Sequence, residues 1–481
     1  MAAVIALRRE RKVRSAESIE DQTLEIMAIG EDIRDKRPQG TALTLVAVTV
    51  AFLTLTLQAC FGNAADNDLA LLEAKIAQGP STADLMAYAY QTNPMIKAAR
   101  QEWRAKVERY RVDIAYADPE LMFEGMYMTR SFGDTGRPED WKVSLNQMIP
   151  FPGKLGRKGE LATADARLAH LKLDATVRDV MVQLRESYQE LLYIRDAKRI
   201  AAQNRELLEQ LRKVGETAYA QNRAALVDVM KAQSQSGQLL YDALLLEELE
   251  RTEKTRLNSL LSRPPDAEIG PLADEGPRPL AYKLDEIYHL SEQNLEEIRM
   301  AQVQIEKAQS MLALARYEIL PEFKLGASFG EEDGDNQVGV QAGLTLPLWF
   351  GKNAGRLGEA RAEAEVAKAM KIARINEAQA MIRENYFRLQ NSERLVRLYR
   401  DELLPQAAKS MELSETWYRQ GQGSFSDFVE TEAVWYNFQL ALARAKSDYG
   451  KFLARLEKFA GRSLTQRDER PSKPAPEGGS R

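Results

Sequence analysis

The chain has 481 residues, of which 44% are hydrophobic and 28% charged, with a net charge of -5 and a pI near 5.6. That is enough apolar content to bury a core, and it leaves no basic excess to form a nucleic-acid surface. A single cysteine, Cys60, excludes an internal disulfide, and two histidines far apart in sequence, His170 and His289, are too few for a zinc centre of the usual four Cys/His ligands.

The first feature in chain order is an uncharged run, "TALTLVAVTVAFLTLTLQA" (41–59), preceded by Arg34, Lys36 and Arg37. A basic flank before an apolar core is the plan of a secretory signal. Residues 1–60 are therefore read as a leader. "LQAC" resembles a bacterial lipoprotein box with Cys60 as the lipidated residue. Two other readings stand beside it: cleavage after Ala64, and a retained membrane anchor, since the run is just long enough to span. Met1 and Met27 are both candidate start residues.

Residues 66–262 form a first structural unit. A helix is expected over 82–117, interrupted at Asn93-Pro94. A hairpin follows over 120–150. "LMFEGMYMT" (121–129) sets Leu121, Phe123 and Tyr127 against Met122, Glu124, Met126 and Met128. "WKVSLNQMI" (141–149) sets Trp141, Val143, Leu145 and Ile149 against Lys142, Ser144, Asn146 and Met148, with Gln147 breaking the apolar side. Residues 153–214 contain no proline, and Val177, Met181, Leu184, Tyr188, Leu191, Ile200, Asn204, Leu207, Leu211 and Val214 form a coiled-coil seam. A helix of about 60 residues is roughly 90 Å long. A return helix is expected over 224–262.

"SRPPDAEIGPLADEGPRP" leads into a linker, 263–282, and a second unit over 283–461 repeats the plan. Its helices are expected at 283–319, 352–419 and 425–461, with a hairpin at 322–347. Val429, Ala433, Tyr436, Leu440 and Ala443 mark the last seam. Pro119 answers Pro321, 202 residues on; Pro150 answers Pro347, 197 on; "ETAYAQNRAALVDVM" answers "ETWYRQGQGSFSDFV", 199 on, pairing Tyr219 with Tyr418 and Asp228 with Asp427. Landmarks in one order at nearly one spacing indicate a duplication. Residues 462–481 form a polar, Pro- and Gly-rich tail, expected to be disordered.

The second hairpin alternates cleanly. Phe323, Leu325, Ala327 and Phe329 oppose Lys324, Gly326, Ser328 and Gly330; Val338, Val340, Ala342, Leu344 and Leu346 oppose Gly339, Gln341, Gly343 and Thr345. Each run is about long enough to cross a bilayer as a tilted strand. A half-buried soluble sheet alternates identically, so the pattern leaves both readings open. In lipid, two hairpins cannot close a barrel, and several chains would have to share one. Pro150 and Pro347 end the ladders because proline cannot donate. Gly153, Gly156, Gly351 and Gly355 are read as turning the chain from sheet to helix, and Phe151, Trp349 and Phe350 as interfacial aromatics. "GKLGRKG" lacks phosphate-loop spacing.

The duplication, the paired proline borders and the turns "YAQNRAALVDV" and "YRQGQGSFSDF" make residues 82–461 resemble the TolC family of outer-membrane efflux channels. "DPELMFEG" and "QMIPFPGKLGRKGE" are most similar to members serving heavy-metal or cation pumps. The resemblance implies a mostly α fold with membrane β: long antiparallel coiled-coil helices, and four short strands per chain in a trimeric 12-stranded β-barrel above a periplasmic tunnel. It implies a homotrimer in outer-membrane lipid, a periplasmic adaptor (membrane fusion protein) and an inner-membrane pump, of RND type, with no cofactor and no enzymatic activity. It also places Tyr219, Asp228, Tyr418, Gly421 and Gly423 in periplasmic-tip turns, and Asp427 and Glu430 at the pore constriction. Six carboxylates in a trimer would attract cations. Gly423 stands where a basic residue is found in the family, which removes one partner of a salt-bridge latch. Without the resemblance, Asp427 and Glu430 read as a solvated helix face, Asp427 being favoured by the helix dipole. Met122, Met126, Met128 and Met148 share one strand face; thioethers suit Cu(I), and methionine also serves as filler.

Three functions compete. A passive efflux duct accounts for helices and strands together. A lipid-anchored coiled-coil adaptor or scaffold in the periplasm accounts for the helices and leaves the strands without a purpose. An enzyme finds no Ser/His/Asp, Cys/His or metal-ligand set. The transported solute, metal cation or drug, is not written in the chain.

Overall fold

The computed structural model describes residues 69–126, 140–221, 225–274, 276–332 and 335–465. The leader with Cys60, the Ala64 cleavage site, Tyr127, Met128, the side chain of Met126 and the tail beyond 465 lie outside the described residues. The chain divides into two units, residues 1–71 and 72–481. Only the helical residues 69–71 of the first are described, and every element below belongs to the second.

The elements run α1 (Thr82–Thr92), α2 (Pro94–Asp113), β1 (Glu120–Met126), β2 (Asp140–Ile149), α3 (Lys154–Ala220) and α4 (Leu226–Leu261). They continue with α5 (Leu284–Asn294), α6 (Glu296–Tyr317), β3 (Glu322–Glu332), β4 (Asp335–Thr345), α7 (Phe350–Arg397), α8 (Leu404–Arg419) and α9 (Phe425–Ala460). Helix–helix–strand–strand–helix–helix thus occurs twice, with the counterpart of α3 divided into α7 and α8 in the second copy. At 67 residues, α3 is roughly 100 Å long.

Local chemistry sets most boundaries. Ser81 and Asp84 form a capping box on α1. Asn93 then adopts an extended backbone, caps Met95 and Ile96 through its Oδ1, and hands over to Pro94 at the start of α2. The same break recurs at Leu295 (φ -65°, ψ 124°), where no proline stands and the sequence predicts one continuous helix over 283–319. It lies where the end of α9 packs. Gly461, left-handed at φ +73°, ends α9 with its backbone against Asn294, so close that a Cβ there would meet Asn294 at 2.6 Å.

A second departure lies between α7 and α8. Residues 352–419 are expected as one α-helix, but Leu398–Leu403 form a π-helical segment. Leu404 donates to the carbonyl of Tyr399, five residues back. Pro405, without an N–H, follows at once, and the widened turn carries the chain past it.

The strands form one antiparallel sheet in the order β1-β2-β3-β4. The central β2–β3 pair joins the two copies, matching Val143 with Phe329 and Leu145 with Ala327. The registers put Leu121, Phe123, Val143, Leu145, Phe323, Leu325, Phe329, Val338, Val340 and Leu344 on one face. Lys142, Ser144, Asn146, Lys324, Gly326, Ser328, Gln337 and Gln341 lie on the other. Solvent access runs opposite to that of a soluble sheet. Leu121 is 72% exposed and Val340 87%, while Ser144 and Asn146 are buried. Glycine lets the polar face close up: a Cβ at Gly326 would run into the Asn146 amide, and one at Gly330 into the backbone of Trp141.

The glycines behind the sheet divide unequally. Gly153 (φ +91°) makes the turn into α3 against the Tyr317 ring. Gly156, Gly351 and Gly355 lie inside helices with open space around them and turn nothing, which corrects the reading of a glycine-made turn in both copies. Trp349 and Phe350 are 77% and 79% exposed, whereas Phe151 is half-buried and stacks on Phe323 at 6.5 Å.

Candidate functional site

Two regions of the described unit are candidates: the sheet with its apolar side outward, and the helix ends at the far end of α3 from the sheet.

At the tip, α8 stops at Gly421 (φ +71°), and the amides of Gln422 and Gly423 return to the Trp417 carbonyl at 2.9 and 3.2 Å. Gly423 packs closely, since a Cβ there would lie 3.2 Å from that of Trp417. Ser424 then caps α9 by accepting from the Asp427 amide at 3.1 Å. This cap fixes the helical phase. Phe425 and Phe428 point inward and are fully buried, while Asp427 and Glu430, one turn apart, are exposed on the other side. Among the described residues neither carboxylate takes an ion pair.

Tyr418 closes the tip from α8. Its ring lies 5.3 Å from Phe425 and 6.4 Å from Phe428. Its hydroxyl is buried without a hydrogen-bond partner. Burial pushes this phenol up, and the negative charge of Asp228 adds to the rise. Tyr219, its counterpart in the first copy, is exposed. The sequence pairs the two tyrosines, and the structure gives them different surroundings. The α3–α4 turn is described to Gln221 and from Ala225 onward.

Sequence reasoning missed Glu432. Of the expected seam, Tyr436 and Ala443 are buried and Val429 and Leu440 pack against the same cluster, while Phe425, Phe428 and Glu432 are buried beside them and Ala433 is half-buried. Glu432 is 1% exposed, and neither carboxyl oxygen has a partner. Burial raises its pKa to about 7. The available signal was the i, i+4 spacing of Phe428, Glu432 and Tyr436, which puts an acid on the aromatic stripe.

On the sheet's polar face, Glu120 and Lys324 approach to 3.9 Å. Met122 and Met148 are exposed there, and the Asn146 amide lies 3.9 Å from the Met122 sulfur. Among the described residues no group of three or more His, Cys, Asp or Glu is placed to hold a metal ion, and no helix is long and apolar enough to cross a membrane.

Comparison with known proteins gives a consistent picture. Residues 287–462 match the family described as outer membrane efflux protein. Nodulation protein T of Rhizobium leguminosarum bv. trifolii is 22% identical over 447 residues, 84% of this chain and 95% of that protein. The outer membrane protein VceC of Vibrio cholerae superposes with a TM-score of 0.67 at 17% identity, over 80% of this chain and 96% of that one. CusC, solved in a study of transmembrane channel formation, gives 0.70 at 14% identity, over 79% and 92%. At these identities the structural likeness establishes the fold.

Proposed function

We propose that this chain, which belongs to the TolC family of outer membrane efflux proteins, is the outer-membrane duct of a tripartite efflux system. It works as a homotrimer. Four strands from each subunit close a 12-stranded barrel, and the long helices continue the conduit through the periplasm to an adaptor and an inner-membrane pump. The duct is passive: it offers a path, and the solute, metal cation or drug, is chosen by the pump.

The observation that carries this reading is the inverted sheet. Apolar side chains face outward from a polar inner face, and among the described residues the outer edges of β1 and β4 have no strand partner. In lipid an outward apolar face is favourable, and an open edge is not tolerated. Identical copies solve both at once by pairing β4 of one with β1 of the next.

At the tip, Asp427 and Glu430 form a cation-attracting ring where three copies of α9 converge. Their exposure and their common face suit that role. Tyr219, Asp228, Tyr418, Gly421 and Gly423 shape the surrounding turns. Lipidation of Cys60 remains part of the reading as an anchor beside the barrel.

The test is direct. Detergent-extracted protein is expected to be a trimer that forms pores in planar bilayers. Substituting Asp427 and Glu430 together by alanine is expected to raise conductance or lower cation selectivity. Unchanged currents would remove the filter, and a water-soluble monomer would remove the barrel.

A further inference from the structure

We infer that Glu432 is a proton-operated latch of the tip: its neutral carboxyl permits α9 to stay packed against α3, α4 and α8, and its ionisation releases α9. The inference rests on the channel reading above and adds a control that the Asp427/Glu430 ring does not supply.

The geometry is unusual for a glutamate. Glu432 lies between Phe428 and Tyr436 on the inward stripe of α9, one helical turn from each. That stripe enters a cluster built from both copies, with Leu208 and Leu211 of α3 and Ala232 and Leu239 of α4. A buried ionised carboxylate needs a cation or several donors, and Glu432 has neither. Every nearby charge is engaged elsewhere or faces solvent. On α3, Glu209 accepts from Ser236 and pairs with Arg212, and Arg205 is exposed beside it. On α4, Asp242 accepts from Gln238. On α8, Lys409 and Glu412 are exposed, and Tyr418 stacks on the phenylalanines. On α9 itself, Glu430 is exposed and Tyr436 is a buried phenol. Burial alone therefore sets the carboxyl's protonation and raises its pKa to about 7.

The sign follows. A carboxyl with a raised pKa binds its proton more tightly in the packed tip than in an opened, hydrated one. As pH rises from the ordinary glutamate value toward 7, the opened tip holds fewer protons, and opening gains up to about tenfold per pH unit in each subunit. Acidification closes the tip, and neutral or alkaline pH loosens it.

The experiment compares wild type with Glu432→Gln and Glu432→Met between pH 5 and 8, by single-channel recording and by hydrogen exchange of residues 404–460 in detergent. Wild type is expected to gain open probability and lose α9 protection as pH rises. Both variants are expected to stay near the pH 5 behaviour throughout. Variants that keep the wild-type pH dependence, or a wild type whose exchange does not change, would overturn the latch. Absence of current from every form, with pH-dependent exchange present in wild type alone, would reject the channel reading and leave the latch standing.

Discussion

At the residue scale the tip depends on aromatic packing under a polar skin. Phe428 is fully buried against Phe425 and Tyr418. Phe428→Ala should cost about 3–5 kcal/mol of local stability, read as faster exchange in α9 and a lower thermal midpoint. An unchanged midpoint would mean that the tip does not rest on this cluster. Gly153 is the other position where one side chain decides the backbone. At φ +91°, with the Tyr317 ring 2.9 Å from where a Cβ would stand, Gly153→Ala should lose more than the roughly 1 kcal/mol of a left-handed non-glycine residue. Gly156→Ala, in open space inside α3, should be neutral or stabilising in the same melt.

At the element scale, the two copies are clamped by an ion-pair ladder between α3 and α9. Glu186 pairs with Arg455, Glu190 with Lys451 and Arg444, Arg185 with Glu457, and Asp179 with Lys458. Gly450 lets the helices approach, since a Cβ there would strike Gln189. Burial by itself would raise Glu190, but Lys451 and Arg444 outweigh it and hold the carboxyl below its ordinary value. Burial likewise raises Glu250, and Lys198 and Arg195 more than reverse it. Both contributions are fully present above the unfolded carboxylate value and are lost as pH falls through the lower folded one. The thermal midpoint should therefore fall as pH drops below the ordinary glutamate value of about 4.5, and Lys451→Met should flatten that fall. An equal acid loss in the variant would show that the ladder is not the source. The ladder lies at the sheet-ward end of α9 and Glu432 near the tip, so one helix carries a fixed end and a releasable one.

At the scale of the whole molecule, the described unit leaves edges that a single chain does not cover. Among the described residues, β1 and β4 have free outer edges. α4 exposes Leu240, Tyr241, Leu244 and Leu249, and α7 exposes Val366, Met370, Ile372 and Phe387. In the proposed ring these surfaces meet those of neighbouring copies. Val340→Arg, outward at the middle of β4, should cost about 2–4 kcal/mol in lipid and reduce assembly into outer membrane. Gln341→Arg, one residue on and inward, should assemble normally and alter conductance. Equal assembly of the two variants would remove the barrel geometry.

The sequence by itself determined the mostly helical fold, the four strands with their alternating faces and the proline stops, because these rest on period, proline and local caps. The Asn93-Pro94 break and the common face of Asp427 and Glu430 belong to the same class. Only the tertiary structure decided the break at Leu295, next to Asn294, which Gly461 contacts from 167 residues away. It alone showed which strand face is outward, since alternation is the same for water and for lipid. It also placed Glu432, which the i, i+4 spacing puts on the aromatic stripe, fully inside the cluster, because burial is decided by what packs against the helix.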